Sequence, residues 1–266
     1  MAAQTDISKS QLSPSQLARM SVGQFAERFR GEMIPLSNTF SYFCASVPLS
    51  EEDLSEYLQE PIAALPPAIS SRLPKISIIL VPYLEKANGK EKQTNSVADY
   101  VSIEKPPENR LSWAAQLQSG NEAVLVFALK GQDVAEYHYR FYHLLASMAA
   151  GHRPPESQDR YARLLREELR ARVHGEVDEE SWRLKQGLLR RQTDVRRETK
   201  LFREYAEQSF TDTLTLYLHG ICCDIDVETG PRQLQSRYLR QRLKLLRELY
   251  PPPEGYVVFP EEMKPR

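Results

Sequence analysis

The chain has 266 residues, 41 % of them hydrophobic and 27 % charged, enough for one large domain or two small ones with packed cores. Its formal net charge is −1, so no global field recruits nucleic acid or acidic membrane, and any electrostatic role is local. Three cysteines, Cys44, Cys222 and Cys223, are too few and too irregularly spaced for a disulfide framework and point to a reducing, cytoplasmic setting.

Residues 1–20 lack the basic region and apolar run of a secretory signal, and Ala2 stands where myristoylation needs glycine. No apolar run reaches the ~18 residues of a bilayer span, so no membrane partner is expected. Residues 1–20 read as a flexible N-terminal segment, although Ser13, Pro14 and Gln16 have the order of a helix start. Ser21 and Gln24 repeat that order before Phe25 and Phe29.

The aromatic run from Thr39 to Cys44 predicts a strand, and Ser50 caps a helix ending near Leu58. Lys75 to Tyr83 is the clearest buried strand, with Pro82 marking its end or an edge. A polar loop over residues 85–96 leads to two further β-prone runs, Val97 to Glu104 and Leu111 to Leu117. Gly120 and Asn121 supply the turn into a second buried strand, Glu122 to Lys130.

The period then changes from two to about 3.6. Asp133 and Glu136 form a capping box for a helix over residues 133–150. Helices follow over residues 157–174, from Asp178 with breaks to Cys223, and over residues 232–249, and Gly255 to Pro260 has the composition of a short strand. The pattern predicts an α+β fold. Residues 21–153 form an α/β core region with a four- to five-stranded sheet, and residues 154–266 form a mainly helical region packing on it, with a short C-terminal tail.

Three groups of residues carry the vocabulary of chemistry. The first is the helix with Glu136, His138 and His143. Strands followed by a helix with two histidines are similar in layout to the zinc-dependent metallopeptidases, whose HExxH motif sets two ligands one turn apart. Here the register ending at His143 begins with Tyr139 and has Arg140 in place of the glutamate. At ~100° per residue, His138 and His143 point ~140° apart. His138 therefore reads as a core residue and His143 as a polar-face one. The segment Glu204 to Phe210 resembles the one that supplies a third, glutamate ligand in helical members of that group, which would make His143, Glu204 and His219 metal candidates in a degenerate relative.

The second group is Asp212, His219 and Cys223, in the order of a thiol nucleophile with its base and orienter. A stripe of Phe210, Leu214, Tyr217 and Ile221 on the same segment reads as core. Asp224, Asp226 and Glu228 lack the glycine spacing of a calcium loop. The third group is the last helix. Arg237, Arg240, Lys244 and Arg247 form a basic stripe, and Arg232 and Arg242 add to its charge. Such a stripe can bind an acidic partner or be a solvated face.

Phosphate-binding loops, dinucleotide fingerprints, nucleophile elbows and CxxC pairs are absent from the sequence. No cofactor is expected. The residues favour a non-catalytic interaction or adaptor protein that binds a protein partner through charged helices. The alternative is a hydrolase, active or degenerate, with Glu136, His143, His219 and Cys223 as catalytic candidates. Nucleic-acid binding through the terminal helix is the weaker third reading.

Overall fold

The computed structural model describes residues 20–87, 99–191, 198–223 and 232–259. The fold is α+β. The chain divides into two compact units: residues 1–59 with 74–137, and residues 60–73 with 138–266. The helical unit therefore includes residues 60–73 and most of the helix expected over 133–150.

The first unit begins with α1 (Val22–Arg28). Its capping box is complete: Gln24 N donates to Ser21 Oγ at 3.3 Å, and Ser21 N donates to Gln24 Oε1 at 3.1 Å. Strands β1 (Ile34–Pro35) and β2 (Phe40–Cys44) follow. Ser50 caps α2 (Glu51–Leu54) with Asp53, and a π turn spans Ser55–Gln59. Pro61 has no N–H to return to Tyr57, and the widened turn lies where that bond would close.

The two apolar runs of the sequence are β3 (Lys75–Val81) and β8 (Glu122–Ala128), and β7 (Ala114–Ser119) leads into the second of them. Strands β3 and β8 pair in parallel at the centre of a five-stranded sheet of order β1-β2-β3-β8-β7. Strands β1 and β7 are antiparallel edges. Pro82 ends β3, and the chain leaves for a second sheet built from β4 (Tyr83–Glu85), β5 (Tyr100–Ser102) and β6 (Leu111–Ser112). One face of the larger sheet is closed by α1: Phe25 and Phe29 pack with Phe43, Ile79, Val81 and Val126.

The second unit contains α3 (Glu60–Ala63), α4 (Pro67–Ser70), the part of α5 (Val134–Gly151) after Tyr137, α6 (Pro155–Arg170), α7 (Glu179–Arg190), α8 (Lys200–Cys222) and α9 (Ser236–Leu249). Asp178 caps α7 as its sequence position predicts. Helix α8 is the axis of the unit. Phe210, Leu214, Tyr217 and Ile221 are buried along it, and the hydroxyls of Thr211, Thr213 and Thr215 are satisfied by carbonyls four residues back.

A charged core lies beside this axis. Arg242, fully buried, grips Glu168 through Nε and Nη2 at 3.0 and 2.6 Å, and Glu176 through Nη1 and Nη2 at 2.7 and 3.0 Å. Lys185 Nζ lies 3.1 Å from Glu176 and donates to the Gly175 carbonyl at 2.8 Å, and the Tyr205 hydroxyl donates to Glu176. Burial pushes the Glu176 carboxyl up, but the Arg242 charge, its hydrogen bonds and Lys185 outweigh this and hold it at about 2. Two cations and two carboxylates thus balance inside the helices.

Two expectations need correcting. Arg242 is a core residue with two carboxylate partners, so it does not belong to the basic surface of α9. Residues 255–259 form turns and bends without a strand, and Phe259 instead lies beneath Arg240 and Arg247, at 4.6 and 5.4 Å from its ring centre. The expected helix start at Ser13, most of the polar loop over residues 85–96, and the acids Asp224, Asp226 and Glu228 lie outside the described residues. Among the described residues no helix is long and apolar enough to cross a membrane.

Candidate metal centre

Helix α8 ends where its backbone polarity is most useful to a cation. Cys223 caps it, with its N–H on the His219 carbonyl at 2.9 Å. The i, i+4 spacing puts His219 and Cys223 on one face. The second turn of α5 brings His138 to the same place. One donor atom from each of His138, His219 and Cys223 lies within 4.8 Å of the other two. The His138 Nδ1 and Cys223 Sγ are already 3.2 Å apart. A tetrahedral zinc ion needs donors about 3.3–3.7 Å apart, so small side-chain rotations close the set.

Both imidazoles are buried, His138 at 5 % and His219 at 7 % exposure, while Cys223 is half-buried. The Nε2 of His219 is buried and has no hydrogen-bond partner. A buried polar atom left so costs roughly 1–3 kcal/mol, which a ligand at that atom would recover. Burial, and then the neighbouring His138, push the His219 imidazole down to about 4, so it is neutral and ready to ligate at neutral pH. The rings of Tyr142 and Tyr139 stand 6.0 and 6.3 Å from it, and Tyr142 is fixed by its bond to the Pro61 carbonyl at 3.1 Å. The adjacent Cys222 thiol is pulled down to about 7, first by its hydrogen bond to Cys223.

The chemistry of this corner favours a metal over a nucleophile. Reactive thiolates sit at helix N-termini, where the backbone dipole is positive. Cys223 sits at a C-terminus, where the dipole is negative, which disfavours a bare thiolate and attracts a cation. Three donors of the two kinds zinc prefers fit that cation.

The other candidates fall elsewhere. His143 and Glu204 do share one feature, a groove of about 360 Å³ also lined by Glu180, Glu207 and Gln208, but His219 is not part of it. Glu136 is exposed in the first turn of α5, its N–H on Asp133 Oδ1 at 2.8 Å. Asp212 is buried and accepts from Gln208 at 2.8 Å instead of orienting His219. Arg237, Arg240 and Lys244 lie on α9; Arg237 stacks on Tyr238, and Lys244 lines a groove with Arg160, Arg163, Glu167 and Glu248. In sequence, His138 reads as a core residue. Its pairing with His219 and Cys223 joins two separate helices, and no local pattern encodes that.

Asp212 carries its own prediction. Burial pushes its carboxyl up to about 7, against a hydrogen bond from Ser181 and with the Asp178 charge adding to the rise. The folded state therefore holds a proton that the unfolded state has released, from the usual carboxylate range up to about 7. Stability should fall across that window as pH rises. Asp212→Asn should lack this component of the slope, as urea denaturation at about pH 4.5, 6 and 7.5 would read. An unchanged slope would refute the assignment.

Compared with protein-family models, curated proteins and solved structures, the chain matches none.

Proposed function

We propose that this is a metal-binding protein whose helical unit takes one divalent ion of zinc character at His138, His219 and Cys223. The observation that carries the proposal is the convergence of one donor atom from each of these three residues to within 4.8 Å of one another, with both imidazoles buried. No carboxylate joins the donor group among the described residues. Glu136, the nearest acid to His138 along α5, lies ~200° around the helix from it and cannot serve as the base of a metal-bound water. The metal-binding reading gives the chain a ligand where the sequence reading expected no cofactor. The expected partner-binding role of the charged helices has no comparable cluster of groups behind it: Arg242 is internal, and Arg240 and Arg247 are folded over Phe259.

Metal content decides the matter. Protein purified without a histidine tag or chelator should carry, or take up on titration, about one zinc per chain. His138→Ala and Cys223→Ser should each lose it while keeping the helical circular-dichroism spectrum. His143→Ala should retain it. Failure of the parent to bind zinc, or retention by the His138 variant, would end the proposal.

A further inference from the structure

The sheet unit holds a cavity of its own, and its walls follow from the strand register. Ser41, Ser77, Val124 and Leu117 form one row across β2, β3, β8 and β7, on the face that α1 covers. Phe25 and Phe29 pack on the neighbouring row of Phe43, Ile79 and Val126. Toward the first row α1 presents Gly23 and Ala26, one turn apart, and a Cβ on Gly23 meets nothing within 4 Å. The space left is about 380 Å³, and every residue lining it belongs to the sheet unit.

We infer that this cavity is a binding site for an uncharged molecule of one-ring size, with a hydroxyl or carbonyl group on an apolar body. Its floor is divided along the row. At one end Ser41 Oγ and Ser77 Oγ lie 3.2 Å apart and half-buried. One hydroxyl donates to the other, which leaves an O–H and spare lone pairs to meet a polar head. At the other end Val124 and Leu117 offer apolar surface, and Met33 adds to the wall. A benzene-sized body needs roughly 150 Å³, so a ring with a substituent fits.

The rim sets the charge. Arg30 lies 2.9 Å from Glu27 and 3.4 Å from Glu122, and Lys75 stands beside Glu122 in the strand register. These are the charged residues of the lining, two of each sign, and they cancel. An ion entering the cavity would lose hydration without an unmatched counter-charge to replace it. A neutral amphiphile loses little and buries its apolar side.

The test is a titration of the full, isotope-labelled chain with phenol, benzoate and benzylamine, read by amide chemical shifts. Phenol should give saturable shifts centred on Ser41, Ser77 and Val124, at a concentration about tenfold below either charged probe. Ser77→Ala should raise the phenol concentration needed by roughly threefold to tenfold, the worth of one hydrogen bond. Gly23→Leu should abolish the shifts by filling the space, while the melting temperature holds or rises because leucine replaces a helical glycine. Three results would overturn the inference: no saturable shift in the full chain, binding of benzoate or benzylamine as tight as that of phenol, or undiminished phenol binding by either variant.

Discussion

Arg242→Ala should destabilise the helical unit by roughly 3–5 kcal/mol, the cost of leaving buried carboxylates without their counter-charge. The guanidinium is fully buried and makes two paired contacts, one with Glu168 and one with Glu176. Removing it leaves Lys185 as the cation nearest Glu176, at 3.1 Å, and strips Glu168 of both its bonds to the guanidinium. A domain is typically stable by only about 5–15 kcal/mol, so the variant should unfold at much lower urea. Arg242→Met fills a similar volume without charge. If it loses as much stability as Arg242→Ala, the loss comes from charge and not from a cavity. If both variants unfold within about 1 kcal/mol of the parent, the scale of surface changes, the buried network is not what holds these helices. Acid should act in the same direction. Glu176 is held at about 2, below its ordinary value, so its contribution is complete above the unfolded carboxylate pKa and is lost as pH falls toward 2.

Gly175→Ala should be the second most damaging single change, at more than about 3 kcal/mol. Gly175 has φ +80°, and a Cβ there would lie 2.1 Å from the backbone oxygen of Gln233 and 2.4 Å from its carbonyl carbon. Backbone cannot give way as a side-chain end can. The clash would part the bridge in which Glu176 N donates to the Arg232 carbonyl and Leu234 N donates to the Glu176 carbonyl, each at 3.0 Å. It would also displace the carbonyl that receives Lys185. Gly120→Ala is the control: its φ is +59° but a Cβ meets nothing within 4 Å, so it carries only the strain of the left-handed region, about 1–2 kcal/mol. Equal losses from the two substitutions in thermal or urea melts would refute the steric account.

The parts of the fold that were legible in the sequence are those fixed by near neighbours. The strands at Lys75–Val81 and Glu122–Ala128 carry apolar runs over residues 78–81 and 123–128 rich in Ile, Leu and Val, and the helix starts at Ser21, Ser50 and Asp178 are caps read within four residues. The stripe of Phe210, Leu214, Tyr217 and Ile221 states its own burial through its spacing. What stayed hidden depends on distant partners. Arg242 sits in a run of basic residues and reads as one more solvated charge, because its carboxylates come from positions 168 and 176. His219 and Cys223 announce themselves by their i, i+4 spacing, but His138 comes from another helix and sits among apolar residues, where a core histidine is the ordinary reading. Residues 60–73 join the helical unit although the chain returns to the sheet after them, and no local signal marks that excursion.

The arrangement of the charged core also orders events during synthesis. Glu168 and Glu176 leave the ribosome well before Arg242 does, and until then their pocket has no guanidinium to receive them. Translation at about 5–20 residues per second makes that interval several seconds. The sheet unit has no such dependence: its last strand, β8, ends at Ala128, and its partners β2, β3 and β7 all precede it. The nascent chain can therefore complete its sheet early, while the helical segment behind it waits, partly assembled and open to chaperones, for a single late residue.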